Sequence, residues 1–273
     1  MSRGQVGMGE LWARQTVLDG RAGMPAVKGI GFDLFGTLVL QEGYSLEQSV
    51  GILVDSLLAS GLRLEKDPFV QAYRDLNRRL FAQAAQDGRE TYNRLWVAGA
   101  LQALGHAVDP SDPRIEGAVD AYFAPFIKSC RLIPGTGEML ESLVGTHRLG
   151  LVSNFTHPPA LYRILERLNL RRFFQVILIS GSLGIRKPHP TIFGELADRM
   201  GLPPEEIMYV GDDLQSDIAG AHSAGMRTVW MTHRQVLERS SPLEHFLGLP
   251  HTAREVRPDH VIKAWSEFLP LLG

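Results

Sequence analysis

The chain contains a single cysteine, Cys130. It can close no internal disulfide and build no thiolate metal site, which fits a reducing cytoplasm. A thiol nucleophile would want a partner histidine, and the sequence identifies none, so a buried apolar role suits Cys130 better. Long basic runs are missing too. They extend no further than pairs such as Arg78-Arg79 and Arg171-Arg172, at a net charge of −2. A nucleic-acid binder would carry a basic stripe, so that class is set aside. No run approaches the roughly 20 apolar residues needed to cross a bilayer. The N-terminus lacks a basic segment followed by an apolar one, so secretion is not indicated either. The 9 histidines fall at no helical metal-ligand spacing. Internal repeats and low-complexity tracts are also absent.

What remains is ordinary for a globular protein: 273 residues, 44% hydrophobic and 21% charged. That length suits one large domain, or a core domain with a smaller insert. Residues 1–24 carry glycines and isolated apolar residues with no sustained period. They read as a disordered extension, with Met24 as an alternative start, and receive no function.

Five short apolar runs read as buried parallel strands, because each lacks alternation and is followed by a helical pattern: 27–35, 148–153, 175–179, 207–210 and 228–231. Helix starts follow them. Thr156 precedes Pro158-Pro159, and Pro190-Thr191 opens a segment that Gly201 closes. Strands alternating with helices predict an α/β fold built on a doubly wound parallel sheet. Between about residues 44 and 127 the rhythm breaks. SLEQSVGILVDSLLAS, DPFVQAYRDLNRRLFAQAAQ and TYNRLWVAGALQAL all place apolar residues at three- and four-residue spacing. So long a connection predicts a helical cap, residues 44–127, inserted into a core of residues 25–43 and 128–273. Its expected place is over the carboxyl edge of the sheet, where open α/β sheets hold their ligands.

Four groups fall at strand ends. They are Asp33-Leu34-Phe35-Gly36-Thr37-Leu38, Ser153-Asn154, Lys187-Pro188, and Gly211-Asp212-Asp213-Leu214-Gln215-Ser216-Asp217. Each alone has a bland reading: a strand-ending turn, a helix cap, a solvated lysine, another turn. In a parallel sheet all four converge on one rim. Asp33, Asp212 and either Asp213 or Asp217 would crowd carboxylates together, and like charges raise one another's pKa unless a cation neutralises them. Magnesium suits such a site, being hard and oxygen-seeking. Lys187 adds positive charge, and Ser153 and Thr37 add hydroxyl donors, a set suited to holding a phosphoryl group. A carboxylate aimed at phosphorus can attack it, forming an aspartyl-phosphate that water then hydrolyses.

The ordered set resembles the four motifs of the haloacid dehalogenase-like hydrolase superfamily, in the branch whose helical cap lies between the first and second motifs. The resemblance runs from Val27 to the C-terminus. Pro134-Gly135 ahead of a helix, Ile185-Arg186-Lys187-Pro188, and Asp217-Ile218-Ala219-Gly220-Ala221 followed by Ala224-Gly225-Met226 add to it. It implies Asp33 as nucleophile, with Thr37, Ser153 and Lys187 completing the catalytic set. The phosphate site would draw on Gly36, Ser153, Asn154 and Lys187. The magnesium site would draw on Asp33, Asp212, Asp213, Asp217 and the backbone carbonyl of Phe35. It also implies that 257–262 and AWSEFLPLL form a closing strand and helix. The expected partner is a small phosphorylated molecule, not a nucleic acid or a membrane.

One position departs from the pattern. The family's phosphatases carry a second aspartate two residues after the nucleophile, to protonate the leaving oxygen and activate water; here Phe35 stands there. Losing that group costs on the order of 100- to 10,000-fold. The family's dehalogenases have an aromatic residue at that position, but they replace the acidic pair retained here as Asp212-Asp213, and they use an early arginine, whereas the first after this motif is Arg63. The leading expectation is a magnesium-dependent phosphatase favouring good leaving groups. The alternatives are a metal-independent 2-haloacid dehalogenase and a non-catalytic phosphate- or partner-binding protein. His157 and His189 are candidates for the missing base. Arg74, Arg78, Arg89 and Tyr92 are candidates for reaching a substrate anion, and Trp96 reads as insert core.

Overall fold

The structure is a computed structural model and describes residues 25–233 and 256–272. The segment 1–24, expected to be disordered, lies outside the described residues.

A parallel six-stranded sheet has the order β5-β4-β1-β6-β7-β8. Its strands are β1 (Gly29–Phe32), β4 (Arg148–Ser153), β5 (Val176–Ile179), β6 (Ile207–Gly211), β7 (Arg227–Met231) and β8 (His260–Ile262). The chain winds outward from β1 in one direction through β4 and β5. It then returns to the other side of β1 and continues through β6, β7 and β8. The topological switch point therefore falls between β1 and β6, where such sheets open a crevice at their carboxyl ends.

All five predicted strands are present, and the first is shorter than its apolar run. β1 stops at Phe32, and Asp33 to Phe35 turn away from the sheet. Its four residues are wholly buried. On one face Phe32 meets Phe174, Trp265 and Phe268 edge-on, with ring centroids 5.9–6.4 Å apart. On the other face lies the helix Pro190–Met200. A Cβ at Gly31 or Gly150 would come within 2.8 Å of Leu196, so the two glycines let this helix seat directly on the strands.

Between β1 and β4 the chain leaves through β2 (Val39–Gln41) and returns through β3 (Cys130–Leu132), paired antiparallel. Four helices lie between them: α1 (Leu46–Ala59), α2 (Lys66–Asp87), α3 (Asn93–Ala103) and α4 (Pro113–Ser129). Sequence periodicity names the first three. Gly117 and Pro125 interrupt the fourth, yet it forms, started by Asp112 accepting from the Arg114 amide and by Pro113 in its first turn. Its apolar face (Ile115, Val119, Tyr122 and Phe123) joins the same core as Val50, Leu53 and Leu57 of α1. Trp96 is 3% exposed and packs on Phe81 and Tyr73, as an insert-core residue should.

After β3 come α5 (Thr136–Leu143), α6 (Pro158–Arg167), α7 (Ser180–Leu183) and α8 (Pro190–Met200). A short π-helix (Leu214–Ala219) and α9 (Gly220–Ser223) follow β6. The C-terminus corrects one expectation. Among the described residues beyond β8 the chain forms no closing α-helix but two 3₁₀ turns, Trp265–Glu267 and Leu269–Leu271. Pro270 supplies no amide hydrogen for a continuous helix. Burial of Trp265 and Phe268, with the indole donating to Thr136 Oγ1 at 2.9 Å, fixes the segment instead.

Candidate active site

Asp33 follows directly on β1. Its amide still donates to Val210 of β6, which fixes its backbone at the switch point. The chain then turns sharply: Gly36 donates to Val39, and Leu38 and Val39 donate back to Leu34. Gly36 has φ +92°, and a Cβ there would lie 2.2 Å from Asp212 Oδ2. Only glycine meets both conditions, left-handed backbone and close approach to a carboxylate. The turn leaves Asp33 just 7% exposed, with Oδ2 accepting from Thr37 Oγ1 at 3.1 Å.

Lys187 is 3% exposed and lies at the centre of the site. Its ammonium, with three protons to donate, lies within hydrogen-bond distance of four acceptors: Asp33 Oδ1 (2.7 Å), Asp217 Oδ1 (2.6 Å), the Val152 carbonyl (3.0 Å) and Tyr209 Oη (3.1 Å). Asn154 clamps its backbone: the Asn154 amide group donates to the Lys187 carbonyl, and the Lys187 N–H donates to Asn154 Oδ1. Ser153 ends β4 beside them. Its Oγ is buried without a hydrogen-bond partner among the described residues, an unmet donor of the sort a ligand oxygen would satisfy.

The loop after β6 brings the remaining carboxylates. Asp212 is 4% and Asp217 1% exposed. Asp33, Asp212 and Asp217 place oxygens within 4.8 Å of one another. Asp213 stands outside that group. Its Oδ1 caps the π-helix, accepting from the Gln215 and Ser216 amides and from Ser216 Oγ. The sequence set therefore comes together at Asp33, Gly36, Thr37, Asn154, Lys187, Asp212 and Asp217, with Ser153 alongside.

Burial would lower the Lys187 pKa, but Asp217 and Asp33 more than reverse this and hold it well above the usual lysine value. Lys187 stays a cation. Burial pushes the Asp217 carboxyl up to about 7, opposed by Lys187 and assisted by repulsion from Asp33 and Asp213. Lys187 thus pairs with two of the three clustered carboxylates, Asp33 and Asp217. The excess negative charge, the oxygen-only donor set and the burial together fit a small hard divalent cation.

Phe35 is half-buried, its ring 5.3 Å from Phe126 of α4 and 5.3 Å from Phe155. Tyr44 extends this wall, 5.1 Å from Phe126. The position where an acid–base group would stand is packed with rings from both core and insert. Neither candidate histidine is unengaged. His157 Nε2 bonds Asp120 Oδ1 at 2.9 Å and its ring stacks on Phe123. His189 Nδ1 accepts from the Thr191 amide. Among the candidate anion contacts, Arg78 pairs with Asp75 on an exposed face, and Arg74 lines a groove between α1 and α2. Arg89 bridges to Ile185, and Arg94 lies over the Tyr92 ring.

Two features escape sequence reading. Tyr209 reads as one more apolar position in IMYV, although a buried phenol needs a partner and finds Lys187. Glu90, 7% exposed, lies in the loop between α2 and α3 and touches the core at Ser180 and Arg186. No local signal marks it.

Asp33, Lys187, Asp212 and Asp217 thus meet at the carboxyl ends of the strands beside the switch point, where open α/β sheets hold their ligands. Residues 27–225 match the haloacid dehalogenase-like hydrolases, and the chain belongs to that family. It is 52% identical over 133 residues to a glyceraldehyde 3-phosphate phosphatase of Methanopyrus kandleri, covering 47% of this chain and 54% of that protein. It is 28% identical over 212 residues to a ribulose-1,5-bisphosphate 5-phosphatase of Halopiger xanaduensis, covering 73% and 85% respectively. The chain spans about half the length of the first curated relatives it matches, 54% in the M. kandleri case. Among solved structures, a 2-haloacid dehalogenase from Pseudomonas syringae superimposes with a TM-score of 0.64 at 25% identity, over 90% of this chain and 97% of that one. No helix among the described residues is long and apolar enough to cross a membrane.

Proposed function

We propose that the protein is a magnesium-dependent phosphatase-type hydrolase acting on a small phosphorylated metabolite in the cytoplasm, with residues 44–127 as a cap over the core. The observation that carries this reading is the convergence of buried Asp33, Asp212 and Asp217 around Lys187. Relatives named as phosphatases support it.

Asp33 attacks phosphorus as the nucleophile, its carboxylate held by hydrogen bonds from Lys187 and Thr37. Lys187, Ser153 and the amides after Asp33 bind the phosphoryl oxygens. The phosphorus–oxygen bond to the leaving group breaks as the bond to Asp33 forms. Water then cleaves the aspartyl-phosphate and returns free Asp33. Bound at Asp33, Asp212 and Asp217, magnesium would supply positive charge against the phosphoryl oxygens. Phe35 can neither protonate the leaving oxygen nor activate water. The reading therefore entails a preference for acyl and aryl phosphates, and slow loss of phosphate from Asp33.

A second reading, a metal-independent 2-haloacid dehalogenase, is favoured by the aromatic wall of Phe35, Phe126 and Phe155, since halide leaves without a proton. A release assay separates the two. Purified protein is given acetyl phosphate, p-nitrophenyl phosphate, an alkyl phosphate and 2-chloropropionate, with and without magnesium, and Asp33→Asn serves as control. The expected result is magnesium-dependent phosphate release from the first two that vanishes with Asp33→Asn. Chloride release unaffected by chelator would replace this reading with the second. Silence on every substrate, with magnesium-dependent phosphate binding, would make the protein a binding member of the family.

A further inference from the structure

The loop joining α2 to α3 belongs to the insert, yet its carboxylate is buried in the core. Backbone pairing brings it there: the Glu90 amide donates to Gly184 at 3.0 Å, and the Arg186 amide donates to Gly88 at 2.9 Å. The Glu90 side chain is only 1% exposed. One oxygen accepts from the Thr91 amide at 2.7 Å and faces the Arg186 guanidinium at 3.6 Å. The other accepts from the Ser180 hydroxyl, and Ser180 Oγ in turn accepts from the Phe155 amide at 2.8 Å. Arg186 is held from its other side by the Phe81 ring of α2, 5.4 Å away.

Both ends of this network terminate at active-site loops. Phe155 follows Ser153-Asn154 and packs on Phe35. Arg186 immediately precedes Lys187, whose backbone Asn154 clamps. A single insert carboxylate thus ties together the loop after β4 and the loop carrying Lys187. Burying a carboxylate is costly, and an apolar residue of similar size would often be as stable there or more so. An apolar residue would not fix the two loops relative to each other, because it could accept from neither Ser180 nor Thr91.

We propose that Glu90 is a positioning residue of the active site, acting through Ser180 and Arg186 to hold Lys187 and the Ser153-Asn154 loop in register when the insert is seated. The proposal rests on the phosphatase reading for its effect on turnover, but not for its effect on the loops. Groups that hold a functional residue from behind typically cost about 10- to 100-fold when removed.

The test uses the full chain as Glu90→Gln, which keeps the shape, and Glu90→Ala as the more severe variant. Hydrogen exchange is read in the segments 153–157 and 184–189, with β1 and β6 as internal references. Steady-state kinetics on p-nitrophenyl phosphate accompany it. Glu90→Gln should speed exchange in those two loops by about tenfold or more, leave β1 and β6 unchanged, and lower kcat about tenfold with KM within about twofold. Exchange that rises equally throughout the fold, or a lowered melting temperature with unchanged loops and kcat, would overturn it and leave Glu90 a purely structural residue. If the wild type turns over no phosphate ester, the phosphatase reading fails, and the loop exchange still decides the role of Glu90.

Discussion

Lys187 Nζ lies 2.7 Å from Asp33 Oδ1, a buried ion pair between residues 154 positions apart in the chain. A second carboxylate, Asp217, accepts a hydrogen bond from the same ammonium at 2.6 Å. Removing the ammonium would leave two buried carboxylates facing each other. We expect Lys187→Met to cost about 3–5 kcal/mol of stability in metal-free protein, and magnesium to restore part of it by taking over the neutralisation. Chemical denaturation with and without magnesium checks both parts. Unchanged stability in the variant would mean that the lysine does not balance the cluster.

Phe35 makes the sharpest chemical prediction. Its ring is held by Phe126 and Phe155, so Phe35→Asp would place a carboxylate against apolar rings and lose their packing. A stability loss of about 1–3 kcal/mol is expected, less than for a fully buried ring because Phe35 is only half-buried. In exchange, the new carboxyl can donate a proton to a leaving oxygen. The rate on an alkyl phosphate, relative to acetyl phosphate, should rise about 100-fold. Parallel assays of the two substrates decide it. A ratio that stays flat would show that proton supply does not limit this site.

Much of this arrangement was legible in the chain. Asp33, Lys187 and Asp212-Asp213 each follow a short apolar run, and strand ends of a parallel sheet have to share a rim. The β2–β3 pairing was not legible, because Val39–Gln41 and Cys130–Leu132 are three residues each and meet only through the intervening helices. Helix α4 was hidden by Gly117 and Pro125, whose propensities its buried face overrides. Asp213 illustrates a further limit. Spacing alone gives it the same claim on a cation as Asp212, and only the backbone shows that its carboxylate is spent on the Gln215 and Ser216 amides. Glu90 is a tertiary fact altogether, since its partners Ser180 and Arg186 lie far along the chain.

Asp120 carries a pH prediction. Partial burial would raise its pKa, but bonds from His157 and Arg163 outweigh this and hold it below the ordinary aspartate value. The folded state therefore binds fewer protons than the unfolded state near that value. The contribution is present above it and lost as pH falls through the lower folded value. Asp120→Asn should lower the melting temperature at pH 6, and the gap to wild type should close toward pH 3. A gap independent of pH would assign the loss to packing.

Cys130 tests whether the insert's return strand opens. It is wholly buried, its thiol donates to the Phe126 carbonyl at 3.2 Å, and burial pushes its pKa up to about 12, beyond what Arg167 and Arg131 can offset. At pH 8 its thiolate fraction in the folded state is on the order of 0.0001, against roughly a quarter for an ordinary thiol. Alkylation by iodoacetamide through the closed state should therefore be slower than in urea by about a thousandfold or more. Cys130 begins β3 and pairs with Gln41, so any reaction that exceeds the closed-state rate reports separation of the two strands that join insert and core. If folded protein reacts at nearly the unfolded rate, those strands part readily and the insert moves on a frequent hinge. If it resists, the two strands that join insert and core stay paired in the absence of substrate.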